Sequence, residues 1–140
     1  TITGTGTFLK EKNKNIKVIA IQAQQNHLLQ GLRNFEESSM PGLFKRREDI
    51  VDQWMTATNQ DSFDAVKDLL RKEGLFVGPS SGSVMSSMLK FSKGIEKGNI
   101  VGIFADDGRK FKSLYKEQNI LVESDYASAL EKLPELYIKT

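Results

Sequence analysis

The chain has 140 residues, 39% hydrophobic and 27% charged, with 20 basic against 18 acidic side chains; this is the balance of a soluble globular protein about one domain long. The absence of cysteine excludes a disulfide framework, a thiolate zinc site and a thiol nucleophile. No apolar run reaches the ~18 residues of a membrane span or builds the core of a signal peptide, and a net charge of +2 with interleaved signs gives no reason to expect nucleic acid as the main partner.

The opening Thr1-Ile-Thr-Gly-Thr-Gly-Thr7, without Met, reads as the start of a piece cut from a longer chain. Four threonines and two glycines ahead of a helix expected over 8–12 suit an anion: glycines let N–H groups approach, hydroxyls add donors, and the helix start is partially positive. The same stretch reads equally well as a Gly/Thr-rich helix start. Residues 17–22, Lys-Val-Ile-Ala-Ile-Gln, form a buried strand by pattern. Residues 23–45 lack a clean period and read as a long loop with one helical turn, the kind of loop that tends to carry function. A second strand is expected over 49–55. A helix follows, capped by Asn59 or Asp61, with Phe63, Val66, Leu69 and Leu70 on its apolar face and Gly74 as its stop.

A third strand is expected at 75–77, then the loop Gly78-Pro-Ser-Ser-Gly-Ser83 and a helix whose apolar face is Val84, Met85, Met88 and Leu89, extending to Phe91. Residues 99–104 read as a fourth strand, closed by Ala105-Asp-Asp-Gly108; a short helix is expected over 110–115 and another after Ser124, ending at Pro134. Alternating strands and helices imply an α/β fold with a parallel sheet and helices on both faces. Ligands of such sheets bind beyond the strands' carboxyl ends, which singles out the chain start, the 78–83 loop and the 105–108 loop. The 78–83 hydroxyls cap the helix or hold a ligand's polar atom, and Asp106-Asp107-Gly108 suits a cation, a ligand to be oriented or, more often, a solvated turn. His27, after Gln24, Gln25 and Asn26, reads as a surface residue, and no metal site is expected. Trp54 and Phe63 suit the core, while Lys45-Arg46-Arg47 beside Glu48-Asp49 suits a solvated turn.

In this order the segments resemble the cysteine synthase and cystathionine β-synthase family, the fold-type-II pyridoxal-phosphate enzymes. Thr1-Ile-Thr-Gly-Thr-Gly resembles the end of that family's phosphate loop. Residues 17–22 are similar to its "KIIGVEP" strand, Glu73-Gly-Leu-Phe-Val-Gly-Pro-Ser-Ser-Gly82 to its "EGL-x-x-G-x-SSG" segment, and Phe104-Ala-Asp-Asp-Gly-Arg-Lys-Phe111 to "LPDSGERYL". Gly31-Leu-Arg-Asn-Phe35 with Pro41-Gly-Leu-Phe44 is most similar to the cysteine synthase B branch. The resemblance covers roughly residues 1–115. It implies that the chain is the C-terminal portion of the cofactor-binding catalytic domain of a three-layer, tryptophan-synthase-β-like fold, with about 116–140 a less well matched extension.

The resemblance also implies pyridoxal 5′-phosphate as cofactor, with Thr1 at its phosphate, Ser80 at its pyridine nitrogen, and Gly78 and Asp106 alongside; Gly31 and Arg33 would face the substrate. A guanidinium clamps carboxylate or phosphate in a bidentate fork, so O-phosphoserine or O-acetylserine is the substrate implied, O-phosphoserine slightly favoured. The implied activity is β-replacement by a sulfur nucleophile to make cysteine. The family's Schiff-base lysine, in a P-x-x-S-x-K-x-R context, is absent from the chain, so no catalytic residue is assigned here and catalysis requires the N-terminal half that carries it. Ala105 and Asp107 depart from the family's usual proline and serine. The other implied attributes are a homodimer of the intact enzyme, a small amino-acid substrate, cytoplasmic location, and neither nucleic-acid nor membrane partners. Two rivals from other classes are a non-catalytic α/β module binding an anion or nucleotide, and a truncated homologue acting as an interaction partner.

Overall fold

A computed structural model of the chain describes residues 1–121. Helix α1 spans Ile2–Lys12, so the Thr/Gly stretch is itself helical, where a loop ahead of a helix over 8–12 was expected. Glycine and threonine are poor helix formers; packing overrides them here. Gly6 is buried, and a Cβ there would lie 3.0 Å from Ile50 Cδ1 and 3.4 Å from the Val18 methyls, so only glycine lets α1 seat this closely. Lys10 and Lys12 in the last turn complement the helix dipole.

Strands β1 (Ile19–Ala23) and β2 (Gln53–Ala57) pair in parallel, in register from Ile19 opposite Gln53 to Ala23 opposite Ala57. The second strand starts four residues later than its pattern predicts, because Glu48–Ile50 winds into a 3-10 turn that drives Ile50 against Gly6. Between them, the long loop holds one helical turn, α2 (Gly42–Lys45), whose Phe44 stacks on Phe35 while both rings meet Trp54 edge-on.

Helix α3 (Asn59–Glu73) is capped by Thr58, not by Asn59 or Asp61: the Thr58 hydroxyl accepts from the Asp61 N–H at 3.1 Å. Gly74 ends it in the left-handed region at φ 68°, and the Leu75 N–H returns to the Leu69 carbonyl. Helix α4 (Pro79–Ser92) begins five residues before the expected apolar face and buries a different one. Its packed side is Pro79, Ser81, Gly82, Ser83, Ser86 and Ser87, while Leu89 is exposed. Small residues win because α3 comes so close: a Cβ on Gly82 would drive into the Ser62 carbonyl, and the Ser83 hydroxyl lies 2.9 Å from that of Ser62.

Neither expected C-terminal strand forms among the described residues. Val77 makes a single antiparallel bridge to Asp107, and residues 99–104 have no regular structure. The parallel sheet therefore has two strands here, and the class remains α/β. A 3-10 turn (Gly108–Phe111) runs into α5 (Lys112–Glu117), which buries Tyr115 completely among Phe63, Phe76 and Phe111. The helix expected after Ser124 lies outside the described residues.

Three carboxylates stitch these elements together. Asp52 accepts from Lys10 Nζ and the Val18 N–H, Asp61 from Lys90 and Thr58, and Asp107 from Arg109; these bonds hold each carboxyl below its ordinary 3.8. A carboxyl whose pKa is lower folded than unfolded adds stability above the unfolded value and loses it as pH falls through the folded one. The urea midpoint is accordingly expected to hold down to about pH 5, then drop steadily toward about pH 2, with a shallower drop in Asp52→Asn. An unchanged slope in that variant would remove Asp52 from the account.

Candidate active site

The start of α4 is the centre of the site. Its N-cap is Gly78, which supplies no side-chain cap, and Pro79 occupies the first helical position, where a missing N–H costs nothing. The Ser81 and Gly82 N–H groups both turn back to the Gly78 carbonyl, at 3.0 and 3.2 Å. The partially positive helix start lies beside Ser80. The Ser80 hydroxyl is half-buried and makes no hydrogen bond among the described residues. Ser81 Oγ next to it is fully buried and has no partner among the described residues.

Two other segments converge on Ser80. Gly31, in the long loop, adopts φ 95°, and a Cβ built on it would lie 3.3 Å from Ser80 Oγ and 3.9 Å from Asp106 Oδ2. Bare backbone thus lies against the hydroxyl, a flat approach that a side chain would fill. Gly78 is locked to the 106 segment by its N–H to the Asp106 carbonyl at 2.8 Å, and a Cβ there would meet Asp106 Cβ at 2.9 Å. The Asp106 carboxylate pairs with Lys110 at 2.7 Å, a bond that raises the ammonium's pKa. The Tyr115 hydroxyl closes the base by donating to the Val77 carbonyl at 2.7 Å, and burial pushes its pKa up.

Four of the residues singled out from the sequence, Gly31, Gly78, Ser80 and Asp106, therefore meet at one place. Arg33 is near by chain: its carbonyl accepts from the Ala23 N–H at 3.1 Å, while its exposed guanidinium pairs with nothing among the described residues. Thr1 is the exposed N-cap of α1, without a side-chain cap bond. His27 accepts from the Leu29 N–H through Nδ1, a local turn contact. Sequence reading missed Lys110, although its spacing of four from Asp106 was the available signal. It also missed the burial of Ser81, which only the approach of α3 to α4 creates.

The family described as pyridoxal-phosphate dependent enzyme matches residues 1–106. Cysteine synthase of Aquifex aeolicus is 36% identical over 116 residues, covering 79% of this chain and 35% of that protein. Cysteine synthase B of Escherichia coli is 27% identical over 113 residues, covering 81% of this chain and 37% of that protein. Among solved structures, the O-acetylserine dependent cystathionine beta-synthase of Helicobacter pylori superposes with a TM-score of 0.72 at 25% identity, over 81% of this chain and 39% of its own. The O-acetylserine sulfhydrylase isoform 3 of Entamoeba histolytica gives 0.73 at 25% identity, over 86% and 40%. The chain spans little more than a third of the length of these two cysteine synthases. Those neighbours are fold-type-II enzymes, and this chain has part of their α/β, parallel-sheet fold.

Proposed function

Since the chain belongs to the pyridoxal-phosphate-dependent enzymes, we propose that it is part of a cysteine-synthase-like enzyme that replaces the β-substituent of an activated serine with a sulfur nucleophile. The observation that carries this reading is the unengaged Ser80 hydroxyl, set against the bare backbone of Gly31 at the start of α4. That arrangement fits the family's cofactor. A flat ring can lie against Gly31, and Ser80 can donate to its nitrogen without delivering a charge. When bound, pyridoxal phosphate supplies an electron sink for breaking bonds at the amino acid's α and β carbons.

Each residue then has a bounded task. Ser80, a neutral donor, holds the ring nitrogen without protonating it. Gly78 and Asp106 fix the wall beside it, and the ion pair to Lys110 keeps the Asp106 carboxylate turned to one side. Thr1, at the start of α1, holds the phosphate. Arg33 has its guanidinium free among the described residues to clamp the anionic group of O-acetylserine or O-phosphoserine, and its fork favours the phosphorylated substrate. The nucleophilic lysine comes from the N-terminal half of the enzyme, the intact protein is a homodimer, and this chain alone is inactive. No helix among the described residues is long and apolar enough to cross a membrane.

The test is to combine the chain with a lysine-bearing N-terminal half and follow the visible absorbance of bound pyridoxal phosphate. Uptake that borohydride makes irreversible is the expected result; no uptake overturns the reading. Ser80→Ala is expected to weaken cofactor binding roughly tenfold, the value of one hydrogen bond of about 1.4 kcal/mol. Unchanged affinity would remove the nitrogen-holding role.

A further inference from the structure

Arg33 is exposed and pairs with nothing among the described residues, although two carboxylates, Glu36 and Glu37, follow it three and four residues on. That little chain is short enough for a guanidinium and a carboxylate to meet. Here both glutamates are turned the other way. The Glu36 carboxylate accepts from Gln25 Nε2, and the Glu37 carboxylate accepts from the Asn26 N–H at 2.8 Å. The acidic side chains thus close on the arm of the loop that leaves β1, and the guanidinium stays uncommitted.

Asn34 makes this arrangement. It is 4% exposed, a buried polar residue with both ends of its amide engaged. Its Nδ2 donates to the Ala23 carbonyl at 2.9 Å, and its Oδ1 accepts from the Glu36 N–H at 2.8 Å. The second bond is an Asx turn, which starts the bend toward Gln25 and Asn26. The Asn34 carbonyl completes the bend by accepting from the Ser38 N–H at 3.0 Å and the Ser38 hydroxyl at 2.8 Å. Arg33 is fixed at the same place, because its carbonyl accepts from the Ala23 N–H at 3.1 Å. Both residues are therefore pinned to the end of β1. Gly31 lies two residues back, against Ser80; two residues of chain span at most about 7 Å, so the Arg33 backbone stays close to the site.

We propose that Asn34 is a positioning residue for the activated-serine substrate: it holds Arg33 near Gly31 and Ser80 and directs Glu36 and Glu37 away, leaving the guanidinium for the substrate's anionic group. The inference rests on the proposed function, in which Arg33 is that clamp. Asn34 acts through Arg33, since both ends of its buried amide are committed to backbone groups. Without the Asx turn, either glutamate is free to fold onto Arg33 and cancel the charge that grips a phosphate. The clamp then weakens while the bond-breaking chemistry at the ring is untouched, so KM is the parameter that responds.

The experiment uses the enzyme reconstituted from the full 140-residue chain and the lysine-bearing N-terminal half, with O-phosphoserine and sulfide as substrates. Asn34→Ala is expected to raise KM for O-phosphoserine at least fivefold, with kcat within twofold. Adding Glu36→Gln/Glu37→Gln should bring KM back to within twofold of the wild-type value. In an Arg33→Ala background, Asn34→Ala should change nothing further. Amide hydrogen exchange on the same samples is independent of turnover, and Asn34→Ala should speed it at least threefold at Ala23 and Asn26. If the alanine variant does not fold, Asn34→Ser takes its place; its hydroxyl can still accept from the Glu36 N–H, so KM is expected to rise at least twofold, with the same restoration. A fall in kcat at unchanged KM, no restoration by the glutamine pair, additive effects of Asn34 and Arg33, or unchanged exchange would overturn the proposal. The two readings fail separately. A wild-type pair that takes up no cofactor removes the proposed function and the clamp together, whereas turnover with a KM indifferent to Asn34 removes the role of Asn34 alone.

Discussion

Replacing Tyr115 by alanine is expected to destabilise the fold by about 3–5 kcal/mol, the range for emptying a buried aromatic site. Tyr115 is fully buried, its ring lies edge-on to Phe63 with centroids 6.5 Å apart, and Phe76 and Phe111 lean on it at 5.8 and 6.1 Å. Its hydroxyl is also the donor to the Val77 carbonyl, which sits between the two backbone bonds joining 76–78 to 106–108. Tyr115→Phe keeps the ring and drops only that donor, so about 1 kcal/mol is expected. Urea unfolding of the two variants separates packing from hydrogen bonding. Equal losses would show that the hydroxyl, not the ring, dominates. Because the same backbone bonds set Gly78 against Asp106, the alanine variant should also lose cofactor affinity while the phenylalanine variant largely keeps it.

Gly82→Val should be nearly as damaging, at about 3 kcal/mol or more, toward the upper end of overpacking costs. The reason is the identity of the neighbour. A Cβ at 82 meets the Ser62 backbone carbonyl as well as Val66 Cγ2 at 2.6 Å, and a helix backbone cannot swing aside as a side chain can. Relief requires α4 to move off α3, which would carry Ser80 away from Gly31. Gly42→Ala is the control: nothing lies within 4 Å of its added carbon, and a change within about 0.5 kcal/mol is expected. If Gly82→Val were as mild as this control, the close crossing of α3 and α4 would not be what positions the site.

The two crossing helices show how far periodicity can be read. The face of α3 was legible because Phe63, Val66, Leu69 and Leu70 recur at helical spacing and are all buried. The face of α4 was legible only in part: Met85 is half-buried against the core, but serines and a glycine make the close contact and Leu89 is exposed. Hydrophobic spacing reports burial only where burial is achieved by large apolar groups. At a close approach, volume decides instead. The start of α1 went unread for a related reason: threonine and glycine disfavour helix, and only the seat of Gly6 on Ile50 and Val18 makes them wind.

By itself the sequence determined the α/β class, the parallel pair of strands and the helix over 59–73, while its resemblance to a known family singled out the residues proposed for the site. The elements follow from short-range chemistry: strand runs and a left-handed glycine at 74. The tertiary structure alone decided that Gly31, Gly78, Ser80 and Asp106, spread over some 75 positions of chain, meet at one point. It also decided that residues 75–77 and 99–104 do not become strands among the described residues. A strand is a property of a pair: its backbone groups need a partner edge. Apolar side chains written into 99–104 could announce the demand for one but could not supply it.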